Sequence, residues 1–148
     1  MNPDTLTLLD DINTSIIRIR AAYATWAAQN NIGYYELLVF YSLFYGKSSQ
    51  KQMCTDYRIP KQSLSHVIRG LEAQGYLTFL PSSLDRREKL LALTEKGKTF
   101  SDELLKPLLK LEEISILEMG EDSIRQMTSL AARYGTILDE LFTGETPS

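Results

Sequence analysis

The chain has 148 residues, 43% of them hydrophobic, with a formal net charge of −3 and a single cysteine. That apolar content suits one packed domain, or one domain with a helical extension, while one Cys excludes an intrachain disulfide and fits a cytosolic setting. The early Asp4, Asp10 and Asp11 do not read as a signal peptide, and the most apolar stretch, Tyr34 to Tyr45, contains Glu36 and is too short for a bilayer.

Residues 5 to 30 read as a first long helix. Leu8, Leu9, Ile12, Ile16, Ile19, Tyr23 and Trp26 recur at spacings of three and four, and Ile17, Ala21, Ala22 and Ala27 widen the stripe. So apolar a helix at a chain end needs a large partner, either the chain's own core or a second subunit. Asn30 to Gly33 break the pattern. Tyr34 to Tyr45 then form a second helix, apolar nearly all round and therefore expected to be buried, with Gly46 as its stop. Ser48 or Ser49 caps a short third helix running to about Tyr57, with Met53, Cys54 and Tyr57 inward and Lys51 outward. Arg58-Ile59 is the turn before Pro60.

Pro60 suits the first position of a fourth helix. Leu64, Val67, Ile68 and Leu71 make its apolar stripe, and Gly75 ends it. Gln62, Ser65, His66 and Arg69 fall on the opposite side, with Lys61 and Ser63 flanking them near the N-terminus. Tyr76 to Leu80 and Lys89 to Leu93 read as two strands joined by PSSLDRRE, longer than a tight hairpin needs. Thr94 caps a fifth helix lined by Phe100, Leu104, Leu105, Leu108, Leu111 and Ile114, and Pro107 inside it predicts a kink or a hydrogen-bond gap. Glu121-Asp122-Ser123 starts a sixth helix, with Ile124, Met127, Leu130, Ala131, Tyr134, Leu138 and Leu141 on one face. The tail from Thr143 is polar.

Charge is unevenly placed. Between Lys47 and Lys89 there are eight Lys/Arg and four Asp/Glu, a net +4, so the rest of the chain carries −7. Glu72 is the only acid between Pro60 and Leu84. A basic segment in an acidic frame marks a local binding face. A short helix, a tight turn, a second helix with a polar outer face, then a ribbon with a charged tip make a winged helix-turn-helix. The predicted fold is mainly α: six helices and a two-stranded wing. It forms a single domain over 1–148, with a DNA-binding lobe at about 33–93 and dimerisation helices at about 5–30 and 94–143.

On that fold, Gln62, His66 and Arg69 are candidate base readers, since Gln matches adenine and Arg matches guanine bidentately. Lys51, Lys61, Ser63 and Ser65 are candidate phosphate contacts. Arg87, with Arg86, would probe a minor groove, whose potential attracts arginine. Lys89 adds charge beside them, and Asp85 is placed to hold the Arg87 guanidinium in a fixed fork.

Three local runs carry a family resemblance: Gly70 to Leu77 (GLEAQGYL), Asp85-Arg86-Arg87, and Leu93-Thr94-Glu95-Lys96-Gly97. In this order, over nearly the whole chain, the sequence resembles the MarR family of transcriptional regulators. It departs from the family at Leu84, where an Arg is frequent, and at Arg69, where an acid is common. The resemblance implies a homodimer on pseudo-palindromic, double-stranded promoter DNA, and the chain is expected to be a cytoplasmic, ligand-responsive repressor with no membrane association. It also implies a pocket between the dimerisation helices and the DNA-binding lobe.

Tyr23, Trp26, Tyr34 and Tyr35 cluster where the first two helices meet. Core packing is the default for such a set, and lining a pocket for a small aromatic or anionic effector is the alternative. His66 is the only histidine, so neither a metal site nor His-based catalysis is expected, and no cofactor is expected either. Cys54 reads as a small buried hydrophobe; redox-sensing relatives carry theirs in the first helix. An enzyme is disfavoured by the lack of glycine-rich phosphate motifs and of a nucleophile paired with a base. The competing reading is a winged-helix module that binds protein, which would dimerise without DNA affinity.

Overall fold

The computed structural model describes residues 2–81 and 89–144. Eight elements follow in order: α1 (Pro3–Gln29), α2 (Tyr34–Phe44), α3 (Gln50–Tyr57), α4 (Lys61–Ala73), β1 (Leu77–Pro81), β2 (Lys89–Leu93), α5 (Glu95–Met119) and α6 (Glu121–Thr143). The expected six helices and two-stranded wing are all present. The chain divides into two compact units, Met1–Lys106 and Pro107–Ser148.

In the first unit the apolar sides of α2, α3 and α4 close on one another. Leu37, Val39 and Phe40 of α2, Met53 of α3, and Leu64, Ile68 and Leu71 of α4 are all at most 2% exposed. Burying each such side chain stabilises the fold by about 1.5–3 kcal/mol. Val67, expected in the same stripe, is only half-buried. Phe40 anchors an aromatic cluster, its ring centroid 5.2 Å from Phe100 of α5 and 6.1 Å, edge-on, from Tyr76. Tyr76 in turn stacks on Phe100 at 4.7 Å. Aromatic pairs of this kind add directional packing to their area burial.

The caps follow the sequence, with one correction. The Ser49 hydroxyl accepts from Gln52 N–H to start α3, and the Thr94 hydroxyl accepts from Gly97 N–H to start α5. Pro60, expected inside the first turn of α4, is instead its N-cap. Its ψ of 133° is extended, so the helix begins at Lys61 and the Pro60 carbonyl accepts the first helical bond, from Leu64. α5 continues through Pro107 as one helix; the missing proline N–H leaves a single gap in the ladder.

β1 and β2 pair antiparallel with Leu77 opposite Leu93 and Pro81 opposite Lys89. The turn after α2 joins them: Leu91 N–H donates to the Ser48 carbonyl at 2.8 Å, and Ser49 bridges to Leu90. The base of the wing is thus tied to the helix-turn-helix by backbone.

The long helices do the opposite of the lobe. In α1 only Ala27 is buried, and Leu8 and Ile17 are 68% and 66% exposed. In the second unit Leu117 is 68% exposed, Leu130 57%, and α6 has no buried residue. The apolar faces read from the sequence are real, and these residues stand exposed among the described ones. No helix among the described residues is long and apolar enough to cross a membrane.

Candidate nucleic-acid interface and ligand cavity

α3 ends at Arg58, held in the left-handed region at φ 50°. That residue turns the chain sharply. Buried Ile59 then pins the turn to the core, and Pro60 launches α4. The first N–H groups of α4 have no acceptor within the helix, which makes its start favourable for an anion.

Because Leu64, Ile68 and Leu71 face inward, Lys61, Gln62, His66 and Arg69 emerge on the exposed side. Lys51 is likewise exposed on α3. No hydrogen-bond or ion-pair partner among the described residues engages the side chains of these five. Ser63 and Ser65 are half-buried. Ser65 has a task within the fold, accepting a 2.7 Å hydrogen bond from Gln50 Nε2 and so tying the start of α3 to the middle of α4. Gln50 was not singled out from the sequence; a polar residue in the first turn of a short helix gives no pattern to read. Asp85, Arg86 and Arg87 lie outside the described residues, as does the side chain of Lys89, whose backbone lies in β2.

Lys47 fixes the opposite end of α3. Its ammonium pairs with Asp56 at 2.7 Å and lies 5.5 Å from the Tyr57 ring centroid. The hydrogen bond to Asp56 holds the Lys47 pKa above its usual value.

Two cavities open where α1, α2 and the end of α3 meet. One, of about 240 Å³, is lined by Arg20, Tyr34, Tyr35, Leu38, Tyr57 and Arg58. The other, about 120 Å³ and more apolar, shares Tyr34, Leu38 and Tyr57 and adds Tyr23, Leu37 and Tyr41. The Arg20 guanidinium sits 5.2 Å from the Tyr34 ring centroid. Three of the four aromatic candidates, Tyr23, Tyr34 and Tyr35, therefore line cavity walls. Trp26 lines neither, and its Nε1–H is buried without a hydrogen-bond partner among the described residues. The sequence reading missed both arginines, because Arg20 lies on a helix read only for its apolar stripe and Arg58 in a turn. Cys54 is half-buried rather than enclosed. Among the described residues no group of three or more His, Cys, Asp or Glu is arranged to hold a metal ion.

A short helix, a tight turn, a second helix and a two-stranded wing define a winged-helix protein. Residues 32–97 match the family model described as a winged helix DNA-binding domain. A MarR family regulator from Neisseria meningitidis superposes with a TM-score of 0.83 at 24% identity, covering 99% of this chain and 100% of that one. MepR from Staphylococcus aureus, solved as a DNA complex, gives 0.70 at 14% identity over 86% of this chain and 93% of its own. NadR, solved in complex with 4-hydroxyphenylacetate, gives 0.71 at 22% identity over 83% and 91%. No curated protein matches the chain in sequence. The resemblance read from three short runs is borne out at the level of architecture: the chain has the winged-helix fold of the MarR regulators.

Proposed function

We propose that the protein is a MarR-type transcriptional regulator. It binds promoter DNA as a homodimer and releases it in response to a small aromatic anion. The observation that carries this reading is the outer face of α4, where Lys61, Gln62, His66 and Arg69 are exposed on a helix fixed from behind by Leu64, Ile68 and Leu71. A DNA complex of a protein with this fold supports it. In this reading Gln62, His66 and Arg69 meet base edges in the major groove. Lys51, Lys61 and Ser63 meet phosphates, with Ser65 held by Gln50 beside them. Asp85, Arg86, Arg87 and Lys89 form the wing's contact.

The uncovered apolar faces of α1, the end of α5 and α6 are the dimerisation surface. A two-fold pair would set two α4 helices about one DNA turn apart on a pseudo-palindrome. The larger cavity suits the effector: tyrosine walls for a ring, and Arg20 and Arg58 for a carboxylate. A structural neighbour holds a hydroxyphenyl carboxylate. Since Arg58 is also the turn into α4, an occupant there reaches the reading helix directly, which suits a repressor that lets go when loaded.

Selection of bound sequences from random DNA tests the reading. The expected product is a two-fold site with half-sites about ten base pairs apart. Dimers that enrich no sequence would leave the protein-binding module as the better account. Titration of the DNA-bound dimer with aromatic acids, followed by Trp26 fluorescence, tests the effector arm.

A further inference from the structure

The sequence motif opening α5 does more than cap a helix. Three successive carbonyls leave the end of α4: Gln74, Gly75 and Tyr76. Each is taken by a donor from Thr94 or Lys96. Lys96 Nζ donates to the Gln74 carbonyl at 2.7 Å. The Thr94 hydroxyl donates to the Gly75 carbonyl at 2.6 Å, and Thr94 N–H donates to the Tyr76 carbonyl at 3.0 Å. The same hydroxyl lies 3.3 Å from the Tyr76 carbonyl while accepting from Gly97 N–H. Lys96 Nζ also sits 4.6 Å from the Tyr76 ring centroid. Gly97 packs so close that a Cβ there would collide with the Tyr76 carbonyl.

We propose that Thr94 and Lys96, with Gly97 as the contact point, form a latch that sets the pose of the recognition helix and the root of the wing relative to α5. They are positioning residues for DNA reading, not contacts to DNA. The physical case is one of carbonyls that need donors. Gly75, at φ 78°, ends α4, and the N–H groups of Gln74, Gly75 and Tyr76 satisfy the helical carbonyls of Gly70, Glu72 and Leu71. The carbonyls of Gln74, Gly75 and Tyr76 themselves take donors from Thr94 and Lys96. A cation at a helix C-terminus is also favoured by the helix dipole. Any tilt of the first turn of α5 must therefore either carry the end of α4 with it or break these bonds. Tyr76 stacked on Phe100 extends the same grip one turn further into α5. The proposal rests on the DNA-binding reading above.

Two variants test it: Lys96→Met, which keeps the stem over Tyr76 and removes the ammonium, and Thr94→Val, which removes the hydroxyl at nearly constant shape. Lys96 is exposed, so its loss should leave melting near wild type. Each variant should weaken binding to the selected DNA about tenfold, the scale of one charge-assisted hydrogen bond lost in Lys96→Met or of the neutral hydroxyl bonds lost in Thr94→Val. The slope of log K against log salt should be unchanged, because no phosphate contact is lost. Lys96→Arg and Thr94→Ser should restore affinity. Amide hydrogen exchange at Ala73 to Leu77 should rise in both variants without DNA present.

Wild-type affinity in both variants would overturn the latch. So would a salt slope reduced by about 0.9 in Lys96→Met, which would make Lys96 a phosphate contact. If Thr94→Val fails to fold, Lys96→Met alone decides. If the wild-type chain binds no DNA, the regulator reading falls, and unchanged exchange at Ala73 to Leu77 would separately overturn the latch.

Discussion

Helices α2 and α6 both carry the residues of a packing face, and the chain treats them oppositely. In α2, Leu37, Val39 and Phe40 are sealed, and the face is closed by α3, α4 and the aromatic pair Tyr76 and Phe100. In α6, Met127, Leu130, Ile137 and Leu141 stay exposed. α2 is apolar nearly all round, so only an interior can hold it. α6 keeps a polar back, with Arg125, Arg133, Asp139 and Glu140 among its residues, and only a stripe to bury. A helix of that type has one apolar face left to bury. One region is therefore a closed core, and the other leaves its apolar stripe exposed.

The comparison can be broken first at its firm end. Phe40→Ala removes the centre of the aromatic cluster and should cost about 3–5 kcal/mol of unfolding free energy. Denaturant unfolding measures it. A loss below about 1 kcal/mol would mean that Phe40 is not the keystone its burial indicates. At the open end, Ile16→Asp with Leu130→Asp should leave the lobe folded but disrupt self-association. Each apolar side chain buried in a dimer is worth about 1.5–3 kcal/mol. Sedimentation should then show monomers, with operator binding lost in parallel. Dimers of undiminished stability would place the interface elsewhere.

The two regions were not equally legible. Helix order, the wing and the caps at Ser49 and Thr94 follow from periodicity and local chemistry, which one sequence displays. The stripe of α1 was equally visible, but whether its partner was the chain's own core or a second subunit was not. A periodic pattern reports that a face is apolar, not what covers it. The exposed side of α4 was legible for the same reason as the core: once Leu64, Ile68 and Leu71 point inward, His66 and Arg69 must point out. What stayed hidden depends on distance in sequence. Gln50 and Ser65 are 15 positions apart, and Lys96 and Gln74 are 22 apart. No spacing rule links such pairs. Arg20 and Arg58 escaped for the same reason, meeting only in a cavity wall.

Within the reading lobe, helix and wing contacts should separate cleanly. Arg69→Ala should lose about 1–3 kcal/mol of affinity and relax specificity at one base position. Arg87→Ala should lose a similar amount with its effect spread over the flanking minor groove. Titration of wild type and variants against the selected site and single-base variants of it, at one fixed salt, makes the distinction. If Arg69→Ala weakens all sequences alike, Arg69 is a phosphate contact and base reading falls to Gln62 and His66.

The smallest effect expected concerns how α3 is held. Lys47 reaches Asp56 across the turn before α3, and this exposed pair is screened by solvent. The Lys47 pKa is raised from 10.5 by the hydrogen bond to Asp56. A pKa raised on folding means that the charged form is favoured in the folded state. The resulting stabilisation is fully present below the unfolded value and is lost as pH rises through the higher folded value. Melting of wild type and Lys47→Met, followed from neutral pH upward, should show a small constant difference that closes above pH 10.5. A difference that persists there would mean that the ion pair with Asp56 is not its source. α3 would then owe its hold to packing and to ties such as the bond from Gln50 to Ser65 of α4.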